Sequence, residues 1–160
     1  MLPKIPSSIT PFVQSHKQVP CKVRTYVDEG IVKLVELLNT FEMLSTFSSC
    51  QGDDSYYAHV YLEYGNTDEL YTEEYTNQML NYVANLVRCF YKYTTREIGS
   101  LGYNTTIAIQ WEGNKEYPFI SIDFPSEYIR EITKVFSSLK NDLRNNISSS
   151  KPYIQNRESP

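Results

Sequence analysis

Residues 57–64, YAHVYLEY, constrain this chain more than any other run of their length. Ala58, Val60 and Leu62 fall on one side of an extended backbone, and Tyr57, His59, Tyr61 and Glu63 on the other. Strict alternation of that kind demands a strand with one face on an apolar core and the other turned away from it. A sheet must therefore be the frame, and the remaining segments are read by what they can add to it.

Residues 21–27, CKVRTYV, alternate in the same way and predict a first, half-buried strand. Asp28 suits an N-cap, with Glu29 at the positive end of the helix that Ile31, Leu34, Val35 and Leu38 mark out to about Asn39. A strand over residues 43–48 follows, then the strand at 57–64. The next helix is acidic early (Glu73, Glu74) and basic late (Arg88, Lys92, Arg96). It carries an apolar stripe of Met79, Leu80, Val83, Leu86, Val87 and Phe90, with Gly99 and Gly102 as its stop. Residues 105–111 and 119–124 read as a hairpin, and Pro125-Ser126 opens a last helix through Leu143. The order is β-α-β-β-α-β-β-α, in which an α-β-β unit occurs twice. We expect a single α+β domain over residues 20–144, with one mixed sheet and helices packed on it. A proline-bearing irregular arm, 1–19, precedes it and a polar tail, 145–160, follows.

The 160 residues suffice for one domain with a sizeable core. A net charge of −4 disfavours a partner held by its phosphate backbone, since such proteins present a basic surface. Three scattered cysteines, Cys21, Cys50 and Cys89, form no CxxC pair, so neither a disulfide framework nor a zinc site is expected. No apolar run matches a secretory signal or the ~18 residues of a membrane span, and a cytoplasmic protein is the expectation. Fourteen tyrosines against seven phenylalanines favour rims, interfaces and stacking surfaces.

The polar groups with most capacity for chemistry gather at residues 48–52. Ser48 and Ser49 offer hydroxyls, Gln51 both donor and acceptor, and Gly52 close backbone approach. A turn built from turn-forming residues explains the same run without a ligand. Cys50 with His59 makes a nucleophile–base candidate, against which stands a buried thiol beside a strand histidine. Asp28 and Glu29 can hold a ribose diol, although capping accounts for Asp28. Arg24 can meet a phosphate or simply be solvated, and Tyr57, Tyr61 and Trp111 can stack on a base. Core packing beside Ile107 and Ile109 is the simpler role for Trp111.

Asp28-Glu29, Ile31, Leu34-Val35, Leu38-Asn39, Thr46 and Ser48-Ser49-Cys50 with Gly52 resemble the family of tRNA wybutosine-synthesising protein three. Its members are S-adenosylmethionine-dependent methyltransferases that modify phenylalanine tRNA. Small bacterial and phage proteins with a DEGI…SCQG pattern are similar over the same stretch. The likeness spans residues 27–62, and it implies the fold and a nucleoside-type pocket that would include Thr46. Gln51 stands where the enzymes have serine and Asp53 where they have arginine. Only His16 and His59 are present to answer the family's later Ser-His pair, and its lysine-rich N-terminal segment has no counterpart. The expectation is therefore a non-enzymatic protein that holds a nucleotide-derived small molecule without a cofactor. Sequestration of an immune second messenger by a phage protein would suit it, with a homo-oligomer as a compatible state. An S-adenosylmethionine-dependent tRNA methyltransferase and a protein-interaction module are the alternatives, and tRNA is not the expected partner.

Overall fold

In the computed structural model of the chain, residues 18–20, 26–65, 72–97, 104–111 and 118–149 are described. Two short antiparallel strands come first, β1 (Gln18–Pro20) and β2 (Tyr26–Asp28). A 3-10 turn, Glu29–Ile31, leads into α1 (Val32–Leu38). The hairpin of β3 (Leu44–Cys50) and β4 (Ala58–Tyr64) follows, then the long α2 (Glu73–Glu97). A second hairpin, β5 (Thr106–Gln110) and β6 (Phe119–Phe124), precedes a 3-10 turn at Ser126–Tyr128 and α3 (Ile129–Ser149).

The two hairpins join into one four-stranded sheet of order β3-β4-β6-β5, making an α+β fold. Every pairing in it is antiparallel, where a mixed sheet was expected. The physical reason lies in β2. A strand before α1 would have entered the sheet by a crossover and run parallel to a neighbour. Tyr26–Asp28 instead pairs with Gln18–Pro20, of which Gln18 and Val19 belong to the expected irregular arm. Residues 21–25 of the expected first strand, the terminal glycines Gly99 and Gly102, and most of the expected arm and tail lie outside the described residues. The last helix extends through Ser149, past the predicted tail boundary.

β4 alternates as its sequence requires. Ala58, Val60, Leu62 and Tyr64 are buried under the helices, and His59, Tyr61 and Glu63 point to the opposite face. Ile120, Ile122 and Phe124 of β6 sit beside them across the ladder. Ile31, Leu34, Val35 and Leu38, with Met79, Leu86 and Phe90 of α2 and Ile132, Val135, Phe136 and Leu139 of α3, close the same core. The register slips between Thr46 and Ser48, and this bulge carries Phe47 to the far face. There its ring meets Phe119 edge-on at 5.3 Å and lies 6.1 Å from Tyr61.

Candidate functional site

Residues 28–30 and 50–52, which the sequence singles out, are held together by reciprocal hydrogen bonds. Asp28 is 1% exposed, and its carboxylate accepts from the Gln51 amide at 3.1 Å rather than capping the turn that follows it. The Gln51 side chain reaches the other way, its Oε1 accepting from the Gly30 amide at 2.8 Å. Helix capping was the expected role for Asp28; the strand end takes its carboxylate because the Gln51 amide, at the end of β3, would otherwise lack a partner. Gly30 is small because Gln51 needs the space: a Cβ there would stand 2.6 Å from Oε1. Gly52 has φ +67 and would set a Cβ 2.6 Å from the backbone of Tyr56 and Ala58, so the loop turns only with glycine.

The loop after Gly52 is likewise internally closed. Asp53 accepts from the amides of Ser55 at 2.7 Å and Tyr56 at 3.0 Å. Ser126, at the start of the 3-10 turn before α3, donates to the Asp53 carbonyl at 3.1 Å. Thr46 lies on the helix-facing side of β3, opposite Leu62. Its amide donates to Asn39 Oδ1 at 3.0 Å, and its hydroxyl accepts from Asn39 Nδ2 at 2.6 Å. Thr46 thus ties α1 to β3. Ser49, opposite Val60, shares that side, while Ser48 lies opposite Tyr61 on the far face.

Across the far face the ladder brings Cys50, His59, Asp123 and Thr106 into one row, each directly opposite the next. The row is unsuited to nucleophilic chemistry. Burial raises the pKa of the Cys50 thiol, and the charge and hydrogen bond of Asp28 raise it further, against a lowering by the Gly52 amide. Burial lowers the pKa of His59, against the opposite pull of Asp123 and Asp28. Both directions favour the neutral forms and disfavour a thiolate–imidazolium pair. His59 stacks on Tyr61 at 4.5 Å between ring centroids. Tyr57 and Tyr56 are exposed at the loop, and Trp111, expected in the core, is 64% exposed just beyond β5.

Glu29 is set apart from that row and lines a groove of about 600 Å³ between residues 29–33 and 127–134. Val32 and Ile129 contribute apolar lining, and Lys33, Arg130 and Lys134 line it alongside Glu127 and Glu131. Glu127 and Glu131 suit the start of a helix, where the macrodipole favours negative charge. Arg130, second in α3, opposes that preference, so the helix itself does not explain it. None of Lys33, Arg130 and Lys134 forms an ion pair among the described residues. Sequence reasoning missed all three; the available signal was a cation in the first turn of a helix opened by Pro125-Ser126. A second cavity, of about 180 Å³, lies between the α1–β3 loop and α3, lined by Phe41, Tyr82, Lys140 and Arg144 among others.

The brace therefore assembles Asp28, Gly30, Cys50, Gln51 and Gly52 and presents Glu29 to the groove. His59 and Ser48 belong to the sheet face, Thr46 and Ser49 to the packed side, and Arg24 lies outside the described residues. Among the described residues no cluster of His, Cys, Asp and Glu could hold a metal ion, and no helix is long and apolar enough to cross a membrane. Comparison with known proteins returned no matching family model, characterised protein or solved structure.

Proposed function

We propose that the chain binds, without transforming it, a phosphorylated nucleotide-derived small molecule in the groove between residues 29–33 and 127–134. One observation carries the reading: Lys33, Arg130 and Lys134, which form no ion pair among the described residues, share a groove of about 600 Å³ with Glu29. That volume lies within the range of small-molecule sites. Cations at helix starts supply the charge-assisted donors that a phosphate needs, and a carboxylate supplies the acceptor that a ribose diol needs. Val32 and Ile129 offer apolar contact to a base or a sugar edge. The neutral forms that burial favours at Cys50 and His59, on the neighbouring sheet face, suit holding over reacting.

The test is a thermal-shift and calorimetric titration of the purified chain. The panel comprises mononucleotides, cyclic nucleotides, ADP-ribose derivatives and S-adenosylmethionine. Saturable binding of a phosphorylated member is expected, lost at least ten-fold in Arg130→Glu and retained in His59→Gln; charge-assisted bonds to a phosphate are worth about 1.5–3 kcal/mol. Ligand released by denaturation should be chemically intact. A cleaved or methylated product would overturn the binding-only reading. Binding of S-adenosylmethionine together with salt-sensitive tRNA affinity would replace it with the methyltransferase alternative.

A further inference from the structure

Helix α2 carries two apolar faces where its sequence suggests one. Met79, Tyr82, Leu86 and Phe90 are buried in the core, but Leu80, Val87 and Tyr91 are 49%, 42% and 59% exposed. With Ala84 these residues recur at i, i+4, i+7 and i+11, which places them on one line about 16 Å long. Glu73 and Asn77 continue that line toward the helix start. Single exposed apolar residues are ordinary on a protein surface; an aligned set on one helix is a contact surface.

We infer that α2 pairs with α2 of a second copy, antiparallel, about a two-fold axis that passes between Leu80 and Ala84. Charge selects this occupant and this direction. Glu73 and Glu74 stand at one end of α2, and Arg88 and Lys92 toward the other. Lys92 is occupied by Asp142 at 2.8 Å, whereas Arg88 meets only the Asn85 amide oxygen at 3.3 Å and forms no ion pair among the described residues. A parallel copy would leave Glu74 of one helix and Arg88 of the other about 21 Å apart along the axis, so no ion pair could form between them. The antiparallel copy brings Arg88 within about 5 Å of the partner helix's Glu74 along the axis, by the rise per residue. Both residues lie on the same flank of the apolar line, so the two-fold juxtaposes them and makes the pair twice. Along the seam, Leu80 falls opposite Ala84, large against small, Val87 opposite Asn77 and Tyr91 opposite Glu73. The complementary charge is the Arg88–Glu74 pair on the flank.

Sedimentation velocity of the full chain under reducing conditions, from low to hundreds of micromolar, tests this directly. A concentration-dependent dimer is expected. Val87→Glu should leave a monomer with an unchanged circular dichroism spectrum, since residue 87 is outside the core. Arg88→Glu should weaken the dimer on the order of ten-fold, and Arg88→Glu combined with Glu74→Arg should restore it. A wild-type chain that stays monomeric throughout would overturn the inference. So would a dimer indifferent to Val87→Glu, or a charge reversal that its partner reversal fails to rescue. Ligand binding in the groove is read separately, so the two proposals fail independently.

Discussion

Gln51 and Gly30 illustrate how one residue's role depends on another twenty-one positions away. In sequence, Gln51 reads as a side chain free to recognise a base edge; in the fold its Oε1 is taken by the Gly30 amide. Gly30 reads as a break before a helix; in the fold it clears the space that Gln51 fills. Each half of the pair is legible as a motif, but the hydrogen bond that explains both depends on β2 meeting the end of β3. That contact is long-range and leaves no periodicity to detect. The pair should behave as one unit. Gln51→Ala should destabilise the fold by about 1 kcal/mol through loss of the hydrogen bond to the Gly30 amide. Gly30→Ala should lose a similar amount by displacing Oε1. In the double variant the two losses should not add, because the same bond is removed once. Urea unfolding of the four proteins measures the cycle; simple additivity would mean that the bond does not couple the two positions.

Elements were easier to read than their partners. The alternation of residues 57–64, and the helical spacing of the segments that became α1, α2 and α3, each record burial of one face, whereas residues 119–122 of β6 are buried on both faces. Burial of one face is what amphipathic patterns encode. They do not encode which strand lies beside which, so the antiparallel order β3-β4-β6-β5 and the exclusion of β2 appeared only in the structure. Nor did the pattern separate the two apolar sides of α2, because Leu80 and Val87 sit one residue from the buried Met79 and Leu86. Asn39 and Thr46 join two elements that the sequence leaves unconnected. The Asn39 side chain donates to the Val35 carbonyl at 2.7 Å and to Thr46 Oγ1 at 2.6 Å, and accepts from the Thr46 amide at 3.0 Å. One side chain thereby satisfies a helix end and a strand start beside the bulge. Asn39→Ala should cost about 2 kcal/mol, since it strands a half-buried amide and carbonyl together. Thr46→Val, which removes only the hydroxyl, should cost roughly half as much. Equal losses for the two variants would assign the clamp to the hydroxyl alone.

At the scale of the whole molecule, the far face of the sheet makes global stability respond to mild acid. His59 stands between Cys50 and Asp123 in the cross-strand row, with Asp28 also acting on it. Burial, which disfavours the imidazolium, outweighs the attraction of the two carboxylates and lowers the pKa of His59 below its ordinary 6.5. The unfolded chain therefore takes up this proton at a higher pH than the folded chain does. Wherever the unfolded state binds more protons, stability rises with pH. The contribution of His59 is thus fully present above pH 6.5 and is lost progressively as pH falls through and below that value. Asp142, whose pKa is lowered by hydrogen bonds from Lys92 and Tyr93, acts in the same direction but only below 3.8. The two windows do not overlap near pH 6, so a fall in stability between pH 7 and 5.5 isolates the histidine. Chemical denaturation across that range should show the decline in the wild type and a flatter profile in His59→Gln. If the carboxylates of Asp123 and Asp28 governed the site instead, the folded pKa would be raised. Stability would then increase as the pH falls, and His59→Gln would remove an increase rather than a loss.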